Sequence, residues 1–113
     1  MGVEDDISVR LSAQRALLGH TTPELRAVSV DVDPQSRRVS VRFVFDGEAS
    51  ESVLDAASCA GTEILSDYPE GWDIDEQFVN VPAPQQIAHL RFVVYARCED
   101  DWVKSRDGGP AVA

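Results

Sequence analysis

Apolar residues recur along this chain with two periods, one near 3.6 and one of 2, and the switches between them mark the elements. Residues 5–18 read as a helix. Ile7, Leu11 and Leu18, with Ala13, Ala16 and Leu17 between them, form an apolar stripe. Asp5 and Asp6 stand where a helix N-terminus favours acids, and Gly19 follows as a C-cap. Residues 25–32 then alternate, with Val28, Val30 and Val32 on one face, and residues 38–45 do the same with Val39, Val41, Phe43 and Phe45. The turn chemistry of Asp33-Pro34-Gln35-Ser36 joins the two runs into an antiparallel hairpin.

A second helix is predicted over 50–66, with Ser50 or Ser52 as N-cap. Val53, Leu54, Ala57, Ala60, Gly61, Ile64 and Leu65 fall on one side of it, and Glu51, Ser52, Asp55, Ser58, Thr62 and Ser66 on the other. Residues 72–81 read as a third strand whose alternation changes parity between Ile74 and Val79, which a bulge near Glu76 or Gln77 would reconcile. Residues 88–97 make a fourth strand, with Leu90, Phe92, Val94 and Ala96 inward. The order is αββαββ, with a weak twofold repeat of helix then hairpin. Two helices on one face of a four-stranded, largely antiparallel sheet give an α+β two-layer sandwich. The other sheet face would carry Arg38, Ser40, Arg42, Arg91 and Tyr95, either wet or as an interface. One domain over 1–98 and a polar C-terminal tail over 99–113 complete the expected organisation.

With 113 residues, 43% hydrophobic and 27% charged, the chain has the apolar content of a folded domain rather than a disordered one. Twenty acids against ten lysines and arginines give a formal net charge of −10. Such a surface repels phosphate backbones and anionic lipid heads, so nucleic acid and membrane are poor partners and a basic protein is a natural one. The N-terminus has no basic start followed by an apolar run, and the two cysteines, Cys59 and Cys98, read as reduced thiols, so the expected location is the cytoplasm.

The charge is unevenly placed. Between Arg42 and Arg91 there is no lysine or arginine, yet half of the twenty acids lie there. Glu51 and Asp55 are one helical turn apart, as are Glu63 and Asp67, and Glu70, Asp73, Asp75 and Glu76 follow, with Tyr68 and Trp72 among them. These ten residues are the candidate partner-binding surface, since aromatic side chains beside charge are common interface anchors. A solvated helix face would explain the same run, and Trp72 packing under a helix would explain the aromatic. A basic active site, such as that of a nuclease toxin domain, is one target that an acidic patch would block.

Catalytic signals are poor. His20 and His89 have no fixed spacing to a carboxylate or cysteine, and no zinc-ligand pattern, calcium loop or phosphate-binding glycine motif occurs. No cofactor, no metal and no enzymatic activity are expected. Two other readings stay open: a small ligand-binding domain or enzyme using a pocket between helices and sheet, and an assembly subunit forming a homodimer through the sheet.

The stretch Leu11-Ser-Ala-Gln-Arg-Ala-Leu-Leu-Gly19, together with Thr22-Pro-Glu-Leu-Arg-Ala-Val-Ser-Val30, is similar to a group of small bacterial proteins. So are Phe45-Asp-Gly-Glu48, Ala57-Ser-Cys-Ala60 and Asp67-Tyr-Pro-Glu70. Small acidic proteins of that kind resemble immunity proteins of contact-dependent inhibition and related polymorphic toxin systems, over about residues 7–97. The resemblance implies a cytoplasmic antitoxin that binds one cognate toxin domain. Its motifs are structural, and no functional residue is carried over from them.

Overall fold

The chain alternates between two helices and four strands: α1 (Asp6–Leu17), β1 (Leu25–Asp33), β2 (Arg38–Phe45), α2 (Glu51–Ser66), β3 (Asp73–Asn80) and β4 (Phe92–Ala96). The structure is a computed structural model and describes residues 6–99. The αββαββ order of an α+β fold is as the hydrophobic pattern predicts, and the sheet is mostly antiparallel. The terminal acid Asp5 and residues 100–113 of the expected tail lie outside the described residues.

The sheet order is β3-β2-β1-β4. β1 and β2 form the expected hairpin, closed by a turn in which the Asp33 carboxylate accepts from the Gln35 backbone and the Ser36 hydroxyl. β3, however, lies parallel to β2, from Arg38↔Asp73 to Phe45↔Asn80, and β4 pairs antiparallel with β1 at the opposite edge. The apparent repeat of helix and hairpin is therefore not a structural one: β3 and β4 never meet. The chain reaches β4 by crossing the sheet from one edge to the other through residues 81–91.

That crossing strap changes the second face of the sheet. Leu90 donates its backbone N–H to the Ser29 hydroxyl at 2.9 Å, and Arg42 donates to the Ala88 carbonyl at 2.8 Å. Ala27, Ser29 and Val44, which point away from the helices, are consequently buried. The face expected to be wet or an interface thus keeps Arg38 and Arg91 exposed, while Ser40 and Arg42 are half-buried.

On the first face, Val28, Val30, Val39, Val41, Phe43 and Phe45 meet α1 and α2 in one core. α2 packs as predicted, capped by Ser50, whose hydroxyl accepts from the Val53 N–H, and it buries Val53, Ala57, Ala60, Gly61 and Ile64. α1 buries half of the expected stripe and exposes the other half. Val9, Ser12, Ala13, Ala16 and Leu17 face inward, whereas Ile7, Leu11 and Leu18 are exposed. Both sets have helical period, and the small side chains of Ser12, Ala13 and Ala16 let the helix approach its neighbours closely, which the bulkier set does not.

Two irregularities fall where the pattern did not put them. β3 has no bulge, because its register with β2 is unbroken. Ile74, Glu76 and Phe78 stand opposite Val39, Val41 and Phe43 on the helix side, and Val79 turns to the other side. The shift in β4 instead lies at Val94, between the pairs Val28↔Tyr95 and Ser29↔Val93. It brings Tyr95 onto the helix side with Phe92 and moves Ala96 off it. A second shift, in β1, leaves Arg26 unpaired between Leu25↔Phe45 and Ala27↔Val44.

Candidate functional site

α2 and the edge strand β3 carry most of the candidate residues, and the fold distributes them over several environments. Glu51 and Asp55 lie exposed on the outer face of α2. Glu63 is turned toward α1, with its carboxylate 3.9 Å from His20 Nδ1. Asp67 closes α2 and clasps α1: its carboxylate accepts from the Ser12 hydroxyl at 2.7 Å and from Arg15 at 3.2 Å. Glu70 is exposed in the loop before β3. Tyr68 is buried in the core and Trp72 packs half-buried against it, with their ring centroids 4.9 Å apart. This is the packing role that the sequence allowed for Trp72.

β3 separates the remaining acids by parity. Asp73 and Asp75 point to the strap side of the sheet, and Glu76 points to the helix side. Asp75 accepts from the Gln77 amide at 2.8 Å, whose oxygen in turn accepts from Arg42. Asp73 donates its backbone N–H to the Arg37 carbonyl, so Arg37 and Arg38 flank the beginning of the strand. Glu76 lies beneath α2, where the Ser58 hydroxyl donates to it at 3.4 Å and Gly61 leaves it room; a Cβ at Gly61 would overlap its carboxylate. Among the described residues, Glu51, Asp55, Glu70, Asp73, Asp75 and Glu76 form no ion pair, whereas Asp46, Asp67 and Glu99 are each matched by arginine.

Burial against α2 raises the Glu76 carboxyl above its ordinary 4.5, and the Ser58 hydroxyl only partly offsets that. The unfolded chain ionises this group near the ordinary value and the folded chain at a higher pH. Stability is therefore lost as pH climbs from the first value through the second, and stays lower above both. Glu76→Gln should raise the melting temperature at pH 7 and leave it unchanged at pH 4. The gain is below about 1 kcal/mol, since solvent still reaches the carboxylate. Thermal melts of parent and variant at the two pH values test this; an equal difference at both would show that burial of the charge has no cost.

A polar knot that the sequence reading missed joins both sheet edges at one end. Arg26, 5% exposed in its side chain, donates to both Glu99 oxygens at 2.8 and 2.7 Å and to the Val81 and Gln85 carbonyls. Arg97 adds the Asp46 carboxylate at 2.8 Å, Glu99 at 3.0 Å and the Pro23 carbonyl at 2.7 Å. Glu99, assigned to the tail by composition, thus belongs to the folded body. The signal available in sequence was an arginine inside an otherwise apolar stretch, Leu25-Arg26-Ala27, where a buried cation needs acids from elsewhere.

Among the described residues no group of histidine, cysteine and carboxylate side chains is placed to hold a metal ion. Cys59 and Cys98 are exposed, with no disulfide between them. The depressions between α1 and its neighbours are open and shallow. One of about 170 Å³ is lined by Ser12, Arg15, Glu63 and Asp67, and one of about 310 Å³ by Leu17, Leu18, Val94 and Tyr95. Neither is lined by Tyr68 or His89. No helix among the described residues is long and apolar enough to cross a membrane.

Comparison with curated protein sequences finds none that matches the chain. A family model described as MafI2 immunity protein matches residues 6–99, from the start of α1 to the Glu99 of the polar knot. The matched span is the whole αββαββ unit, and it agrees with the resemblance to immunity proteins of polymorphic toxin systems. The chain belongs to the MafI2 immunity protein family.

Proposed function

We propose that this chain protects its cell by binding a cognate toxin domain in the cytoplasm and blocking it, and that it does so by association, not by a reaction of its own. The toxin surface it covers is basic, and the covering surface is the outer face of α2 with the rim of β3. An immunity protein family supports the inhibitory role. The observation that carries the choice of surface is the contrast in charge pairing. Arginines match the carboxylates of the polar knot and of the α1–α2 clasp, while Glu51, Asp55, Asp73, Asp75 and Glu76 are left without one. Unmatched like charges repel one another, which is a cost to the free protein that a basic partner removes. They also raise the rate of encounter by steering at low ionic strength.

The test uses the cognate toxin domain and the quadruple variant Glu51→Gln, Asp55→Asn, Asp73→Asn, Asp75→Asn. These side chains hold no tertiary ion pair, so the melting temperature should stay within a few degrees. The association rate at low salt should fall about tenfold or more, with a flatter dependence on salt. An unchanged on-rate would move the interface elsewhere on the molecule, and no binding of the parent chain would remove the reading altogether.

A further inference from the structure

The acids of β3 lie on opposite sides of the sheet, Asp73 and Asp75 on one and Glu76 on the other. A partner lying on either face would meet only one set. A partner approaching the sheet edge-on meets both. The backbone of β3 is suited to that approach. Asp73 and Val81 turn their N–H groups inward, to the Arg37 and Phe45 carbonyls of the β2 side, so the residues of the other parity, Ile74, Glu76, Phe78 and Asn80, turn theirs outward. β3 is an edge strand of eight residues in unbroken register, and among the described residues no other segment pairs with its outer side. The other edge, β4, is shorter and bulged at Val94, a form that blunts strand addition.

The geometry points to β3 as a docking edge to which an extended basic segment of the toxin adds as a fifth strand of the sheet. This deepens the toxin-binding reading and rests on it. Such a segment would carry lysine or arginine on the side facing Asp73 and Asp75. On its other side it would place a cation near Glu76 and an apolar residue near Phe78, whose ring is 42% exposed while stacked 5.5 Å from Phe43. Main-chain bonds supply affinity in this mode and alternating side chains supply selectivity. Charge also selects the occupant. A second copy of the chain would set its own Asp73, Asp75 and Glu76 against these, and like charges across a strand pair are destabilising.

Amide hydrogen exchange on the full chain, alone and with a catalytically inactive variant of the cognate toxin domain, distinguishes the outcomes. In the complex the amides of Ile74, Glu76, Phe78 and Asn80 should slow by at least about tenfold, while those of Asp75, Gln77 and Val79, already bonded to β2, change little. A complex in which the first set exchanges as in the free chain overturns strand addition and leaves toxin binding standing. Absence of any complex overturns both. Slowing of the same set in the chain alone as its concentration rises would assign the edge to a second copy, and would equally overturn the proposal.

Discussion

Arg26→Ala should destabilise the fold by about 3 kcal/mol, a fall of roughly 15 °C in melting temperature for a domain of this size. The guanidinium is nearly inaccessible and serves three partners at once: the Glu99 carboxylate, the Val81 carbonyl and the Gln85 carbonyl. Removing it leaves two carbonyls without a donor and Glu99 with Arg97 alone. That remaining arginine is why the loss belongs at the lower end of the range for breaking a buried pair. Arginine hydrogen bonds hold the Asp46 and Glu99 carboxyls below their ordinary 3.8 and 4.5. A depressed carboxylate contributes stability that is complete above the ordinary value and is lost as pH falls through the depressed one. The parent chain should therefore weaken below about pH 4.5, and Arg26→Ala should weaken less steeply there, because Glu99 returns toward its ordinary behaviour. Denaturant titrations between pH 7 and pH 3 measure both effects. A loss under about 1 kcal/mol at pH 7 would mean the knot is replaceable by water.

Phe43→Ala should cost about 3–5 kcal/mol, the range for deleting a fully buried aromatic ring. Phe43 has no exposed surface and lies in the core toward the C-terminal end of β2, with Phe78 beside it. Its removal opens a cavity that the sheet backbone cannot collapse to fill. Phe78→Ala is the informative contrast. Its ring is partly exposed at the edge, so the same truncation should cost only about 1 kcal/mol. The two variants together separate the core from the rim. Phe43→Ala should lower the denaturation midpoint sharply, whereas Phe78→Ala should affect association more than stability. Equal losses would place Phe78 in the core and deny it a role at the surface.

What the sequence made legible was whatever is encoded locally. The β1–β2 hairpin follows from two alternating runs and an Asx-type turn, and α2 follows from its clean division into faces and from Ser50. The choice of neighbours was not legible, because it depends on residues far apart in the chain. The parity change in β3 suggested a bulge, yet Val79 faces the strap side of a continuous strand, where the second face of the sheet is itself partly covered. In α1 the expected stripe took in Ile7, Leu11 and Leu18 as well as Ala13, Ala16 and Leu17, and close approach kept only the second set buried. The acidic run was visible as a run, since it is contiguous in sequence. Its division among outer helix face, helix–helix clasp and two sides of an edge strand was not, since parity and pairing decide it. Asp67 shows the difference: the same carboxylate that reads as unmatched in sequence is held by Ser12 and Arg15, more than fifty positions earlier.

The parallel pairing of β2 with β3 has a consequence in time. The β1–β2 hairpin closes over a four-residue turn, which is entropically cheap, but β3 can align only after the chain has closed a loop containing all of α2. Contacts of long sequence separation form late in folding. β3 is thus among the last parts of the molecule to be completed, and a newly made chain would already contain its hairpin before it offered that strand to anything else. Protection of a cell would then lag synthesis by the time this crossover takes to close.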